Sequence, residues 1–278
     1  MSVSVVHGDC REVAKQIFHG LLAESALYPF DFAFLDPPFN IGHNYIEYKD
    51  NINGQEFEQL VWGAAVAAHT LLRVGGVLAL HGPDHLADIY LTLAKELKWQ
   101  RVAWVNWFYA FGQCRTSNWV DSRCHCLIYV KEGGEYTWNP TDVMRPSARA
   151  TTYGDKRTQA SATPGVRVPG TVWGVPDDGP YWGRVQGNNA ERVPEVPNQL
   201  PEVYIERLLR AYTDPGDSVL DMFGGSGTVP VVAQALKRNC VSSDVCAENV
   251  KLIEQRLGRG ACRVQFKKGG ADGQIAGG

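Results

Sequence analysis

A short apolar strand running straight into a glycine-rich turn and then a helix leaves few folds open to a chain. Residues Ser218 to Asp221 read as such a strand. The turn Asp221-Met222-Phe223-Gly224-Gly225-Ser226-Gly227-Thr228 follows, and helical spacing resumes from Val229 to Arg238. Glycines there let the backbone approach a ligand closely, and the helix N-terminus faces it. The turn lacks the Gly-Lys-Ser/Thr of a phosphate loop, which disfavours nucleoside triphosphate hydrolysis, and it is near to but does not match Gly-x-Gly-x-x-Gly. The next strand, Cys240 to Asp244, ends on an acid 17 residues after Gly227. A carboxylate at that place can hold both ribose hydroxyls of an adenosine-containing cofactor.

The rest of the chain supports an α/β reading. Strand-like runs at Val3 to Val6, Asp31 to Leu35, Val77 to His81, Arg101 to Phe108 and Cys126 to Val130 alternate with helical spacing. The helices are predicted over Arg11 to Ala23, Phe57 to Leu72 (stopped by Gly75-Gly76) and Asp84 to Leu97, so parallel βαβ units are expected. After a Pro-, Gly- and Trp-rich stretch, helices return at Pro201 to Tyr212 and Ala247 to Leu257. With 278 residues, 44% of them hydrophobic, and a net charge of −3, the chain can bury a core and is not basic overall, so any nucleic-acid surface must be local. The longest apolar run, Val61 to Leu80, is broken by His69, Arg73 and the glycine pair, which excludes a membrane span there. The first ten residues carry no signal-peptide pattern, so a cytoplasmic location is expected. The seven cysteines form no disulfide framework. Cys124-His125-Cys126, with Cys114 the nearest further thiol, lacks the second ligand pair of a zinc site, so no metal is expected.

The sharpest chemical signal is Asp36-Pro37-Pro38-Phe39, directly after a strand. Consecutive prolines have no N–H, so the backbone there offers acceptors. Asp36 and the Pro37 carbonyl can each take one hydrogen of an amine conjugated to a heterocycle, while Phe39 supplies a face for stacking. Drawing both hydrogens away favours the pyramidal nitrogen that attacks. The loop Asn40-Ile41-Gly42-His43-Asn44-Tyr45 carries a hinge-capable glycine and is expected to close over a bound base, with His43 assigned to positioning or to no role.

Together these two motifs resemble the amino-methyltransferases of nucleic acids. Their order, with the amine motif first and the cofactor motif last, is similar to the β class of DNA methyltransferases. The resemblance spans roughly residues 1 to 260. His7-Gly8-Asp9-Cys10 looks like the family's Gly-Asp-Cys element, which implies that Asp9 contacts the adenine of S-adenosyl-L-methionine beside Cys10. SRCHCLIYVKE, from Ser122, is similar to a strand bearing a His-Glu pair; His125 matches and Cys126 departs. Val196 to Pro201 resembles HPTQKP with Val196, Asn198 and Leu200 in place of His, Thr and Lys, which leaves Asn198 and Gln199 as neutral donors for the methionine carboxylate. The cofactor residues implied further along are Asp221, Met222, Phe223, Gly224, Gly225, Ser226, Gly227, Thr228, Asp244 and Val245.

The resemblance implies a doubly wound, mostly parallel sheet of the Rossmann-like methyltransferase type, in circularly permuted order. Residues 1–132 would form the catalytic half, 133–195 a target-recognition insert, 196–265 the cofactor-binding half and 266–278 a disordered tail. Between Arg145 and Arg167 five basic residues face only Asp155. Arg145, Arg149, Lys156 and Arg157, interleaved with Tyr and Trp, are candidates to contact double-stranded DNA. The implied activity is methyl transfer from S-adenosyl-L-methionine to the exocyclic amine of a flipped base. Adenine N6 is favoured because Asp36 stands where many cytosine-N4 enzymes have Ser. A homodimer and an accompanying restriction nuclease stay open, as do an NAD-dependent oxidoreductase and a non-catalytic DNA-binding subunit as rival readings.

Overall fold

The computed structural model describes residues 2–43, 47–109, 116–117, 119–147, 149, 152–158, 160–175, 178, 182–194 and 196–259. In chain order these give β1 (Val3–His7), α1 (Cys10–Phe18), β2 (Phe30–Leu35), α2 (Gly54–Leu71), β3 (Leu72–Gly82), α3 (Asp84–Glu96), β4 (Gln100–Phe108) and β5 (Arg123–Val130). Then come β6 (Arg145–Pro146), β7 (Val166–Arg167), β8 (Val172–Trp173), α4 (Glu202–Tyr212), β9 (Ser218–Asp221), α5 (Thr228–Ala235), β10 (Asn239–Asp244) and α6 (Ala247–Arg259).

Eight strands form one sheet in the order β1-β10-β9-β2-β3-β5-β4-β8. All run parallel except β5, which is antiparallel to both β3 and β4. The expectation of a mostly parallel sheet is therefore met, with β5 as its antiparallel member. Side chains alternate across the sheet. Phe32 and Phe34 pack into the core shared with α4 and α5, while Ala33 and Leu35 pack into the core beneath α1, α2 and α3. Burying each such Phe or Leu contributes about 1.5–3 kcal/mol, so β2 is anchored from both faces. At its other end Asp31 accepts bonds from Arg73 Nε (2.6 Å) and Ser218 N (2.8 Å), tying β2, β3 and β9 together.

Two departures from expectation have a local cause in glycine. Helix α1 ends at Phe18 rather than at Ala23, because the chain turns at Gly20 (φ 69°) before a 3-10 turn over Ala23–Leu27. The Gly75-Gly76 pair, expected to separate helix from strand, lies inside β3, with Gly75 N bonded to Lys131 O and Lys131 N to Gly76 O. A Cβ on Gly75 (φ 76°) would collide with Glu135 O, so the pair marks a close approach and not a stop.

The stretch expected to be an insert is partly built into the sheet. Its β8 pairs with β4 through Asn106–Val172 and Trp107–Trp173, and Val143, Trp173, Trp182, Val185 and Val193 are buried. Trp173 and Trp182, from the Pro-, Gly- and Trp-rich stretch, cover Arg207 of α4, whose guanidinium lies 3.8 Å from the centre of the Trp182 ring. Burial pulls the Arg207 pKa down to about 10, and Asp178, itself buried, pairs with both Arg207 and Arg145. Tyr136 and Trp138 are half-exposed and Tyr153 is exposed, whereas Tyr181 lies outside the described residues. So do Asn44, Tyr45, Cys114, Cys262 and the tail expected to be disordered. Among the described residues no helix is long and apolar enough to cross a membrane.

Candidate active site

The chain reverses its direction of travel across the sheet between β2 and β9, which are neighbours although far apart in sequence. In open α/β sheets the crevice beyond the carboxyl ends of such a strand pair is where ligands bind. Asp36-Pro37-Pro38-Phe39 leaves β2 there and the glycine turn leaves β9, with Phe34 opposite Asp221 and Met222 N donating to Phe34 O at 3.2 Å. A cavity of about 440 Å³ opens at this point. Asp36 to Phe39, Asp9, Cys10, Asn198, Gln199, residues 222–226, Thr228, Asp244 and Val245 all line it. Asp221 and Gly227 support the turn from outside the wall.

Each wall has a local cause. Pro37 and Pro38 end the ladder of β2 because they have no N–H to give. Asp36 Oδ1 is the one carboxylate oxygen among the described residues that is buried with no hydrogen-bond partner. Burial, helped by the nearby charge of Asp221, raises the Asp36 carboxyl to about 8. The following loop is organised by Asp50, which sequence reasoning missed. Its Oδ1 accepts from Asn40 N (2.6 Å), and its Oδ2 accepts from Ile41 N (3.1 Å) and His43 N (2.9 Å).

In the turn, Asp221 is fully buried and raised to about 7 by burial, with Ser242 Oγ donating to it at 2.8 Å. Gly227 has φ 78°, and a Cβ there would stand 2.9 Å from Ile253 Cγ1, so the glycine allows α6 to pack close behind the turn. Gly225 N donates to Asp244 Oδ2 (2.7 Å), and Asp244 Oδ1 accepts from Cys246 N (2.8 Å) and Asn249 Nδ2 (3.2 Å). The acid is thus aimed by three donors, and burial raises its pKa. Asp9 caps α1 and is gripped by Arg11 through Nε (2.9 Å) and Nη2 (2.6 Å), which holds its carboxyl below the usual range. Cys10 beside it is buried, its thiol pushed up to about 12.

The two candidate donors from the 196–201 segment differ. The Gln199 amide is occupied at both ends, accepting from Val193 N (2.8 Å) and donating to Glu191 O (2.7 Å). Asn198 sits in the left-handed region (φ 56°), accepts at Oδ1 from Arg184 Nη2 (3.2 Å), and has a buried Nδ2 without a partner. A second cavity of about 40 Å³ adjoins, sharing Phe39 and residues 198–200 with the first and adding His81, Trp107, Tyr109, Cys124 and Arg184. His81, its Nδ1 2.9 Å from Tyr204 Oη, is neutral because burial drops its pKa to about 3. His125 lies outside both cavities, bonded to Asp84 Oδ1 (2.6 Å) and to Trp104 Nε1 (3.0 Å). A tryptophan Nε1 can only donate, so Nδ1 accepts and Nε2 carries the proton.

The four basic candidates lie away from the cavity walls. Arg145 is largely buried and pairs with Asp178 at 2.5 Å. Arg149 and Arg157 are exposed but share Asp155 at 2.8 Å each. Lys156 stands between them in sequence, in a short 3-10 turn. Among lining residues that sequence reasoning did not reach, Glu56, Gln59 and Leu60 follow helical spacing on α2, a face legible in sequence whose destination was not.

The sequence profile of the DNA methylase family matches residues 30–255. The chain is 26% identical over 228 residues to the type II methyltransferase M.HpaI of Haemophilus parainfluenzae, covering 82% of this chain and 68% of that protein. It is also 26% identical over 253 residues to the DNA adenine methyltransferase YhdJ of Escherichia coli, covering 88% and 83%. Among solved structures it is similar to the M1.HpyAVI–SAM complex, with a TM-score of 0.61 at 18% identity over 92% of this chain and 98% of that one. The cytosine-N4-specific PvuII DNA methyltransferase gives a TM-score of 0.64 at 15% identity over 96% and 89%. With a profile match across most of its length, built around the crevice between β2 and β9, the chain belongs to the DNA methylase family whose members modify adenine N6 or cytosine N4.

Proposed function

We propose that this chain is a site-specific DNA methyltransferase acting on the exocyclic amine of a base flipped out of double-stranded DNA, with adenine N6 the favoured target. The observation that carries the reading is Asp36 Oδ1, a buried acceptor with no partner, in the wall of the cavity that also holds the glycine turn and Asp244. An unsatisfied buried acceptor is costly, by about 1–3 kcal/mol, and an amine hydrogen would satisfy it. S-adenosyl-L-methionine, when bound, supplies an electrophilic methyl group on sulfonium.

The residues present fit that cofactor. Asp244 is aimed by three donors and suits the ribose hydroxyls, Asp9 and Cys10 line the adenine end, and the backbone at Gly224 and Gly225 allows close approach. Asp36 in its ionised form and the Pro37 carbonyl take the two amine hydrogens, which leaves the nitrogen lone pair free to attack, while Phe39 stacks against the base. The nitrogen becomes cationic on transfer and then loses a proton; no general base is needed before attack, and catalysis is mostly positioning and electrostatics. Residues 1–132 serve as the catalytic half and 196–265 as the cofactor half. Within 133–195, Arg149, Lys156 and Arg157 contact DNA phosphates, and Arg145 braces the segment against α4.

The test is to incubate unmethylated duplex DNA with the protein and cofactor, digest it to nucleosides and identify the product by mass spectrometry. N6-methyladenine is expected. N4-methylcytosine would change the base and keep the rest of the reading, and no methylated base on any duplex tested would refute it.

A further inference from the structure

Resting on the cofactor reading above, we propose that Arg184, from the segment between the two halves of the sheet, is a positioning residue for the cofactor's carboxylate and acts through Asn198. A guanidinium has only donors. Its Nη2 lies 3.2 Å from Asn198 Oδ1, so it dictates which way the Asn198 amide points: oxygen to Arg184, and Nδ2 left as a donor. That Nδ2 is buried and unpartnered, and Asn198 lines both cavities. Arg184 is itself held, its guanidinium 5.0 Å from the centre of the Tyr109 ring.

The neighbours of Asn198 in the chain and the cation of the large cavity are already engaged or apolar. Both ends of the Gln199 amide bond to the backbone at residues 191 and 193, and Leu200 is buried and apolar. Arg11, the one Arg or Lys among the described residues lining the large cavity, is bound by Asp9. The cavity wall is otherwise rich in acids, including Asp9, Asp36 and Asp244, which suit the amine and sulfonium of the cofactor and oppose its carboxylate. A neutral amide backed by a cation is therefore the arrangement on this wall that favours an anion over a neutral base. It also places a residue of the 133–195 segment in cofactor binding, so DNA recognition and cofactor affinity share a contact.

The experiment compares two ligands that differ only at the carboxylate, S-adenosyl-L-methionine and its decarboxylated form, by calorimetry on the full chain. Arg184→Ala should weaken the first by about 10-fold or more, as for loss of a charge-assisted contact, and change the second less than about 2-fold. Asn198→Ala should behave alike, and the double variant should be no weaker than Asn198→Ala alone. Arg184→Met, which keeps the stem over Tyr109, should repeat the result if Arg184→Ala fails to fold. An equal loss for both ligands would make Arg184 merely structural and overturn the proposal. Unchanged cofactor affinity with a raised KM for DNA would overturn it too, assigning Asn198 to the base. If the wild-type protein binds neither ligand, the cofactor reading itself fails, an outcome distinct from these.

Discussion

Replacing Asp36 by Asn separates what this carboxyl does for chemistry from what it costs the fold. Burial and the neighbouring Asp221 raise its pKa from 3.8 to about 8 in the native state. The native protein therefore holds a proton that the unfolded chain releases between pH 4 and pH 8, and stability must fall as pH rises through that window. At 1.36 kcal/mol per pH unit the loss has a ceiling of about 3 kcal/mol at pH 6 and about 5 kcal/mol at pH 8. Asparagine has nearly the same shape and cannot ionise, so the variant escapes this loss. For chains somewhat shorter than this one, 1 kcal/mol corresponds to about 2–4 °C in melting temperature. Asp36→Asn should thus melt close to wild type near pH 4.5 and about 5–15 °C above it at pH 8, while methyl transfer falls below a tenth of wild type. The assay is a series of thermal melts from pH 4.5 to 9 beside single-turnover methylation. A melting difference that stays flat with pH would show that the Asp36 carboxyl is solvated in the native state, and the reasoning from its burial would fail.

Three further outcomes are expected. Cofactor binding brings a positive sulfonium to a cavity whose Asp36 is mostly protonated at pH 7, so calorimetry in buffers of different ionisation enthalpy should show release of up to about one proton for S-adenosyl-L-methionine and close to none for S-adenosylhomocysteine; equal release for both would refute the linkage. Gly227→Ala forces a Cβ onto a backbone at φ 78° and against Ile253, and should cost about 1–3 kcal/mol in urea unfolding, so a wild-type midpoint would contradict the packing described. If Arg149 and Arg157 meet phosphates, changing both to Ala should flatten the slope of log affinity for DNA against log salt by about 2 units. A wild-type slope would move the DNA surface elsewhere.

The motifs at the carboxyl ends of β2, β9 and β10 were legible because their residues are local: two prolines must end a strand, and glycines at positive φ announce a tight turn. That Asn198 and Gln199 carry amides was legible, whereas which of the two amides is engaged, Gln199 by residues 191 and 193, depends on how the chain folds back on itself. Asp50 carries no local signature, because its three backbone partners become neighbours only after the loop closes. The pairing of Arg145 was hidden for a related reason: its partner Asp178 lies 33 residues further along the chain, outside the basic stretch that ends at Arg167. The place of Trp173 and Trp182 was not legible, because an aromatic in a Pro-rich stretch carries no periodicity and their packing on the buried Arg207 comes from a distant helix.

The pairing of β8 with β4 bears on how such a protein can change its target over time. A recognition segment that merely decorated the sheet could be exchanged whole between relatives, like an interchangeable tool head. Here the exchange would strip an edge strand from the sheet and remove the Asp178 carboxylate that pairs with the buried Arg207, and breaking a buried ion pair costs about 3–5 kcal/mol. If the segment reads DNA as proposed above, variation in target preference is channelled into the β6–β7 hairpin, where Arg149, Tyr153 and Arg157 stand clear of the core. On that reading a graft confined to the hairpin between β6 and β7, with β8 and the two tryptophans kept, leaves the sheet edge and the Asp178–Arg207 pair in place.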